Sequence, residues 1–253
     1  ELRRPVDDLF RLQSKQKGLI ENLTLVPLEL KHTLAPNEVE VDVRAVGLNF
    51  RDVLDALGLY PGDPGPLGAD GSGIITRVGG AVKDLKSGDA VLGIMGGCLA
   101  RRTTVHRDDI TVKPNDLTFE EAAGLPSVFL TVYYAITRCA KLKKGDTILI
   151  HAGAGGVGQA AIQLAKHIGA TIIATVGSES KRAFLKAQGV EHIFDSRSLS
   201  YGKDIEKLTQ GKGVDVVLNS LSGQGFIETS VGICKQGAYF LEIGKRDIWT
   251  NEA

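Results

Sequence analysis

The chain has 253 residues, 43% of them hydrophobic and 24% charged, with 30 basic side chains balancing 30 acidic ones. These proportions fit a soluble globular protein of one large or two modest domains, long enough to bury a proper core. A formal net charge of zero favours neither nucleic acid nor an anionic membrane as partner.

No apolar run approaches the length that spans a bilayer, and the opening ELRRPVDDLFRL lacks the pattern of a signal peptide, so the cytoplasm is the expected compartment. In chain order, residues 23–30 are mostly apolar. Residues 39–46 (VEVDVRAV) alternate apolar with polar, the period of a half-buried strand. Residues 50–57 read as one short helix closed by Gly58. The segment YPGDPGPLG that follows, with three prolines and three glycines, reads as an irregular loop. Residues 74–78, 90–94, 101–105 and 110–112 are further short strands, which together predict a compact, barrel-like β-rich lobe.

From Thr118 the texture changes. Residues 119–123 start a helix, Pro126 interrupts, and residues 128–140 read as a long buried helix. Strand and helix then alternate through 148–150, 156–168, 171–176, 181–188, 193–194, 204–209, 214–218, 226–234 and 239–243. Such alternation predicts a doubly wound parallel sheet of five strands. The boundary is expected near Pro126, giving lobes at 1–126 and 127–253, with the cleft between them as the natural substrate site. The dinucleotide fold usually has a sixth strand, so the second lobe is expected to be truncated at its C-terminal end.

The most informative stretch is TILIHAGAGGVGQAAIQLAKHIG, residues 147–169. An apolar run, Ile148-Leu149-Ile150, leads into Gly153, Gly155 and Gly158 in G-x-G-x-x-G register, with Gly156 as an extra glycine. Apolar residues at helical spacing follow. Strand, glycine turn and helix in that order let a diphosphate approach the backbone and the helix N-terminus, so residues 153–158 (Gly153, Ala154, Gly155, Gly156, Val157, Gly158) are read as a dinucleotide site.

NAD binders usually place Asp or Glu at the tip of the second strand to bond the ribose 2′-hydroxyl. Here the tip is Thr175-Val176-Gly177-Ser178, followed by Glu179-Ser180-Lys181-Arg182. A hydroxyl at Ser178 and cations at Lys181 and Arg182 suit a 2′-phosphate, with Arg197 as a weaker candidate, so NADPH is expected over NADH. The three cysteines (Cys98, Cys139, Cys234) have no paired spacing, and the five histidines are scattered. No metal site is legible, and His151 is expected to be a satisfied core residue.

The segments LNFRDVLDALGLYPGDPGPLG, LIHAGAGGVGQAAIQLAKHIGA, GKGVDVVLNSLSG and FLEIGKRDI resemble the enoyl reductase domains of modular polyketide synthases and animal-type fatty acid synthases. These belong to the zinc-free branch of the medium-chain dehydrogenase/reductase superfamily. The resemblance implies an α/β protein, with a Rossmann-type doubly wound sheet plus a β-rich, GroES-like substrate lobe. It implies NADPH-dependent reduction of a trans-2-enoyl thioester carried by an acyl carrier protein, among the other domains of a multidomain synthase. Hydride goes to the β-carbon and a proton to the α-carbon. Tyr60 and Lys245 match the family's proposed proton donors. Asn49 is expected near the nicotinamide or substrate carbonyl, Thr131 near the nicotinamide ribose, and Asn219 at the carboxyl edge of the sheet. Alternative readings are a free-standing quinone or enone oxidoreductase, a cyclopropane-forming homologue, and an NADPH-binding module without turnover.

Overall fold

The computed structural model describes residues 8–244. Lys245 therefore lies outside the described residues. The chain divides into two compact units, Glu1–Ser127 and Val128–Ala253.

In the first unit, β1 (Phe10–Ser14) pairs antiparallel with β2 (Leu23–Pro27). β1 is not among the expected strands: its five residues FRLQS alternate apolar with polar, but over too short a run to stand out. A second, antiparallel sheet is centred on β3 (Glu38–Gly47). It is built with α1 (Phe50–Ala56) between β3 and β4 (Asp70–Val78), then β5 (Ala90–Ile94), β6 (Arg102–His106) and β7 (Ile110–Val112), in the order β6-β3-β4-β5-β7. Val39, Val41 and Val43 of β3 pack with Ile75, Val91, Met95 and Val105. The period of two is present, but the strand is not half-buried. Glu40 and Asp42 on the other face are buried too, at 0% and 6% exposure. Arg77 and Arg102 pair with Glu40, and Arg44 and Arg101 with Asp42, which is what allows two carboxylates to leave water. β4 starts at Asp70, four residues before the expected start, because Gly73 packs flat against β3. A Cβ there would stand 2.3 Å from the Asp42 carbonyl.

α2 (Phe119–Ala123) opens with a reciprocal cap, Thr118 Oγ1 accepting from Glu121 N and the Glu121 carboxylate from Thr118 N. Pro126 does not interrupt a helix but starts one, α3 (Pro126–Val132), since a first-turn proline forfeits no intrahelical bond. The helix runs on as a π-helical segment, Tyr133–Cys139. It is only partly buried: Val132 and Ile136 face the core, while Leu130, Tyr133 and Tyr134 are exposed.

The second unit holds β8 (Thr147–Ile150), α4 (Gly156–Ile168), β9 (Thr171–Val176), α5 (Glu179–Ala187) and β10 (His192–Asp195). α6 (Ser200–Leu208), β11 (Val214–Asn219), α7 (Phe226–Gly232) and β12 (Cys234–Glu242) complete it. All five strands are parallel, in the order β10-β9-β8-β11-β12. Ile148, Leu149 and Ile150 are wholly buried, as a central strand covered on both faces requires. Ile148 and Ile150 pack toward Ile136, Ala161 and Leu185, and Leu149 toward Tyr201, Ile205 and Ile233. The helices thus cover both faces of the sheet, and the chain order reverses between β8 and β11, where ligands of such sheets bind.

Candidate functional site

β8 ends at Ile150, and the turn 151–155 delivers the chain into α4. Its glycines do two kinds of work. A Cβ on Gly158 would lie 2.5 Å from the Ala152 carbonyl oxygen and 2.6 Å from Gly153 Cα, so only glycine lets the helix sit on the turn. Gly153 is buried, and its N–H donates to the Thr175 carbonyl at 2.9 Å, fixing the turn to β9. Gly155 is exposed, has an ordinary extended backbone (φ −80°, ψ 169°), and would bring a Cβ no nearer than 3.2 Å to any atom. That contact is with the Ala152 carbonyl oxygen and is tight, so packing favours glycine at Gly155 too, though less than at Gly158. Exposed Gly156 is similar, its nearest neighbour being Val128 Cγ1 at 3.2 Å. α4 carries no side-chain cap. Its first-turn N–H groups, with half-buried Ala154 and Val157 beside them, suit a diphosphate.

At the tip of β9, Ser178 caps α5, its Oγ accepting from Lys181 N at 3.4 Å. Lys181 is exposed. Arg182 is turned away: its guanidinium donates to the Ile193 carbonyl of β10 and pairs with Glu179 at 3.5 Å. Exposed Arg197 comes to the tip instead, its Nε lying 3.1 Å from where a Gly177 Cβ would stand. Arg197, the weaker candidate in sequence, thus reaches the tip from beyond the next strand, because β10 lies beside β9.

Asn219 ends β11 fully buried, its amide nitrogen donating to the Glu242 carboxylate at 2.6 Å and the Leu221 carbonyl at 2.9 Å. It braces the edge of the sheet. Thr131 is exposed on α3. His151 is buried, with Nδ1 2.9 Å from Thr175 Oγ1 and Nε2 2.9 Å from Ser230 Oγ. Burial alone pushes its pKa down to about 4, so it is a neutral ring at neutral pH.

In the first unit, Asn49 precedes α1, and its side-chain nitrogen donates to Asp70 Oδ1 and to the Gly47 carbonyl. Asp70 Oδ2 accepts from Ser127 N at 3.0 Å. Burial raises the Asp70 pKa, and its hydrogen bonds only partly offset this. Asp52 holds Asn49 N at 3.1 Å and Gly68 N at 2.9 Å. The loop between them is fastened by Arg51, which donates to the Pro64 and Pro66 carbonyls at 2.7 and 3.1 Å. Half-buried Tyr60 opens that loop, its N–H bound to the Leu54 carbonyl at 3.1 Å. Asp52 stands three residues after Asn49, in capping-box register, which is a local signal in the sequence. Asp70 has no such signal, and its role is visible only once β4 is laid beside β3. Among the described residues, no group of three or more His, Cys, Asp or Glu side chains could hold a metal ion.

The fold and its glycine turn define a dinucleotide-binding oxidoreductase. Residues 35–125 match the alcohol dehydrogenase GroES-like domain family, and residues 156–252 the zinc-binding dehydrogenase family. The chain is 45% identical over 249 residues to the reducing polyketide synthase hmp8 of Hypomyces subiculosus, covering 97% of this chain and 10% of that protein. It is 43% identical to the solved CurK enoyl reductase, with a TM-score of 0.92, covering 97% of this chain and 77% of that one. The quinone oxidoreductase of Escherichia coli, solved in complex with NADPH, is 32% identical, with a TM-score of 0.81 and coverage of 89% and 70%. The chain belongs to the enoyl reductases of polyketide synthases, within the medium-chain dehydrogenase/reductase superfamily.

Proposed function

We propose that the chain reduces the α,β double bond of a trans-2-enoyl thioester with NADPH, the acyl group riding on an acyl carrier protein within a multidomain, cytoplasmic polyketide or fatty acid synthase. The observation that carries the cofactor reading is the exposed glycine pair Gly155-Gly156 at the uncapped N-terminus of α4, where no side chain covers the first-turn N–H groups. Space kept open at that point suits a diphosphate. The hydroxyl of Ser178 with the cations of Lys181 and Arg197 suits a 2′-phosphate, and Arg182 supports them by tying α5 to β10. Three free cysteines accord with a reducing compartment.

When bound, the cofactor supplies a hydride to the β-carbon. The chain must then stabilise an enolate oxygen and deliver a proton to the α-carbon. Tyr60, at the start of a loop fastened by Arg51 and Asp52, is assigned as a proton donor, with Lys245 as the second. Asn49 commits its side-chain N–H groups to Asp70 and Gly47, and its side chain accepts from Asp52 N in a capping box, so it is assigned to holding the start of α1 and is not the donor to the enolate. Thr131 is assigned to the nicotinamide ribose, and Asn219 acts by holding the strand edge.

The test follows NADPH consumption with crotonyl thioester on pantetheine, crotonyl on a carrier protein, and a free quinone. The expected order is carrier-bound thioester first, pantetheine thioester second, quinone far behind. A preference for quinone would make the chain a free-standing oxidoreductase, and NADPH binding without any turnover would make it a structural module.

A further inference from the structure

Behind the glycine turn, four elements meet in one buried polar chain. His151 begins the turn, Thr175 lies near the end of β9, Ser230 is on α7 and Tyr201 on α6. The links are Thr175 Oγ1 to His151 Nδ1 at 2.9 Å, His151 Nε2 to Ser230 Oγ at 2.9 Å, and Ser230 Oγ to Tyr201 Oη at 2.8 Å. The chain ends at Tyr201 Oη to the Phe226 carbonyl at 3.0 Å.

The last link sets the direction of the others. A carbonyl can only accept, so the single phenol proton of Tyr201 goes to Phe226. Tyr201 must then accept from Ser230, which uses the serine proton. Ser230 must in turn accept from His151, which puts the ring proton on Nε2 and leaves Nδ1 to accept from Thr175. Every donor has one assignment, and no proton is left over. Burial raises the Tyr201 pKa, so the phenol keeps the proton that closes the chain. His151 and Tyr201 also meet edge to face, with ring centroids 5.2 Å apart.

We infer that this chain is a positioning device for the dinucleotide turn, with His151 as its positioning residue. His151 is fastened on three sides: its backbone N–H donates to the Leu218 carbonyl of β11 at 3.1 Å, and its ring binds Thr175 and Ser230. Thr175 is itself bound to the turn, its carbonyl accepting from Gly153 N at 2.9 Å. The start of the turn and the strand that leads to Ser178 are therefore held in one register by a buried ring. The inference rests on the NADPH reading above.

The test measures NADPH affinity by titration, then kcat and KM for NADPH with crotonyl pantetheine thioester, in wild type and variants. Tyr201→Phe and Ser230→Ala each break the chain once. Each should raise the Kd and KM for NADPH about fivefold, with kcat at saturating cofactor unchanged. The double variant should lose little more than either single one, because a broken chain cannot be broken again. His151→Gln keeps one donor and one acceptor and should recover most of the affinity lost in His151→Leu. If His151→Leu fails to fold, Tyr201→Phe decides, since it keeps the ring and removes one oxygen. Variants with a lower Tm but an unchanged KM for NADPH would overturn the inference and leave a purely structural core. A wild type that binds no NADPH would instead overturn the functional reading, and the inference with it.

Discussion

Gly155 and Gly158 differ by three positions and by their physical reasons for being glycine. At Gly158 the fold leaves no room for a Cβ, and at Gly155 the fold asks less, so the proposed diphosphate is the added reason for glycine there. Gly158→Ala should destabilise the protein by roughly 1–3 kcal/mol, because backbone atoms, not flexible side chains, occupy the space its Cβ needs. Gly155→Val should keep the far-UV circular dichroism of a folded protein, with Tm lowered by the contact with the Ala152 carbonyl, while abolishing NADPH binding in a titration. Retained affinity in that folded variant would remove the diphosphate from the turn. At the β9 tip, Lys181→Ala and Arg197→Ala should each weaken NADPH about fivefold, an exposed charge contributing about 1 kcal/mol, and leave NADH nearly unchanged. Arg182→Ala should act differently: it frees the Ile193 carbonyl and the end of α5, so it lowers Tm more than it alters the preference between cofactors. At Tyr60, replacement by Phe should change the configuration of the product methyl from an α-methyl enoyl thioester more than it changes NADPH consumption. Chiral analysis of the product reads this directly.

Elements differ in how far their period alone describes them. α4 is legible to the residue, since a glycine turn, a run of small apolar residues and Gly169 in a left-handed conformation mark both ends. The alternation in β3 is equally clear, yet burial of its polar face depends on arginines from β4 and β6, which lie distant in sequence. α3 shows the converse. Its apolar content predicts burial, but Leu130, Tyr133 and Tyr134 lie on the face that points outward. The polar chain through His151 joins the turn after β8 to β9, α6 and α7, so no local pattern could reveal it. It has a measurable consequence. His151 titrates near 6.5 when unfolded and at about 4 when folded, so the unfolded state binds more protons between those values. Stability is complete above about pH 6.5 and falls as pH drops toward 4, by up to about 3 kcal/mol. Urea titrations across that window should show this slope, and His151→Gln should flatten it. The paired carboxylates of Glu40 and Asp215, whose folded pKa values are lowered, lose their stabilisation only further into acid.

On the scale of the molecule, the chain spans only 10% of the length of the hmp8 synthase it matches. The chemistry assigned to it is nonetheless local. The glycine turn and the β9 tip proposed to hold the 2′-phosphate share one sheet, while Asn49 and Tyr60 are anchored in the other unit by Asp70, Asp52 and Arg51. The membership in the enoyl reductases rests on likeness through 97% of the chain to a solved member of that group. The fate of the hydride tests the central claim most directly. NADPH carrying deuterium at the transferred position is consumed with an enoyl thioester in ordinary water, and the product is read by NMR and mass spectrometry. The account predicts one deuterium, on the β-carbon, and a solvent proton on the α-carbon. Deuterium absent from the product, or found on the α-carbon, would contradict it.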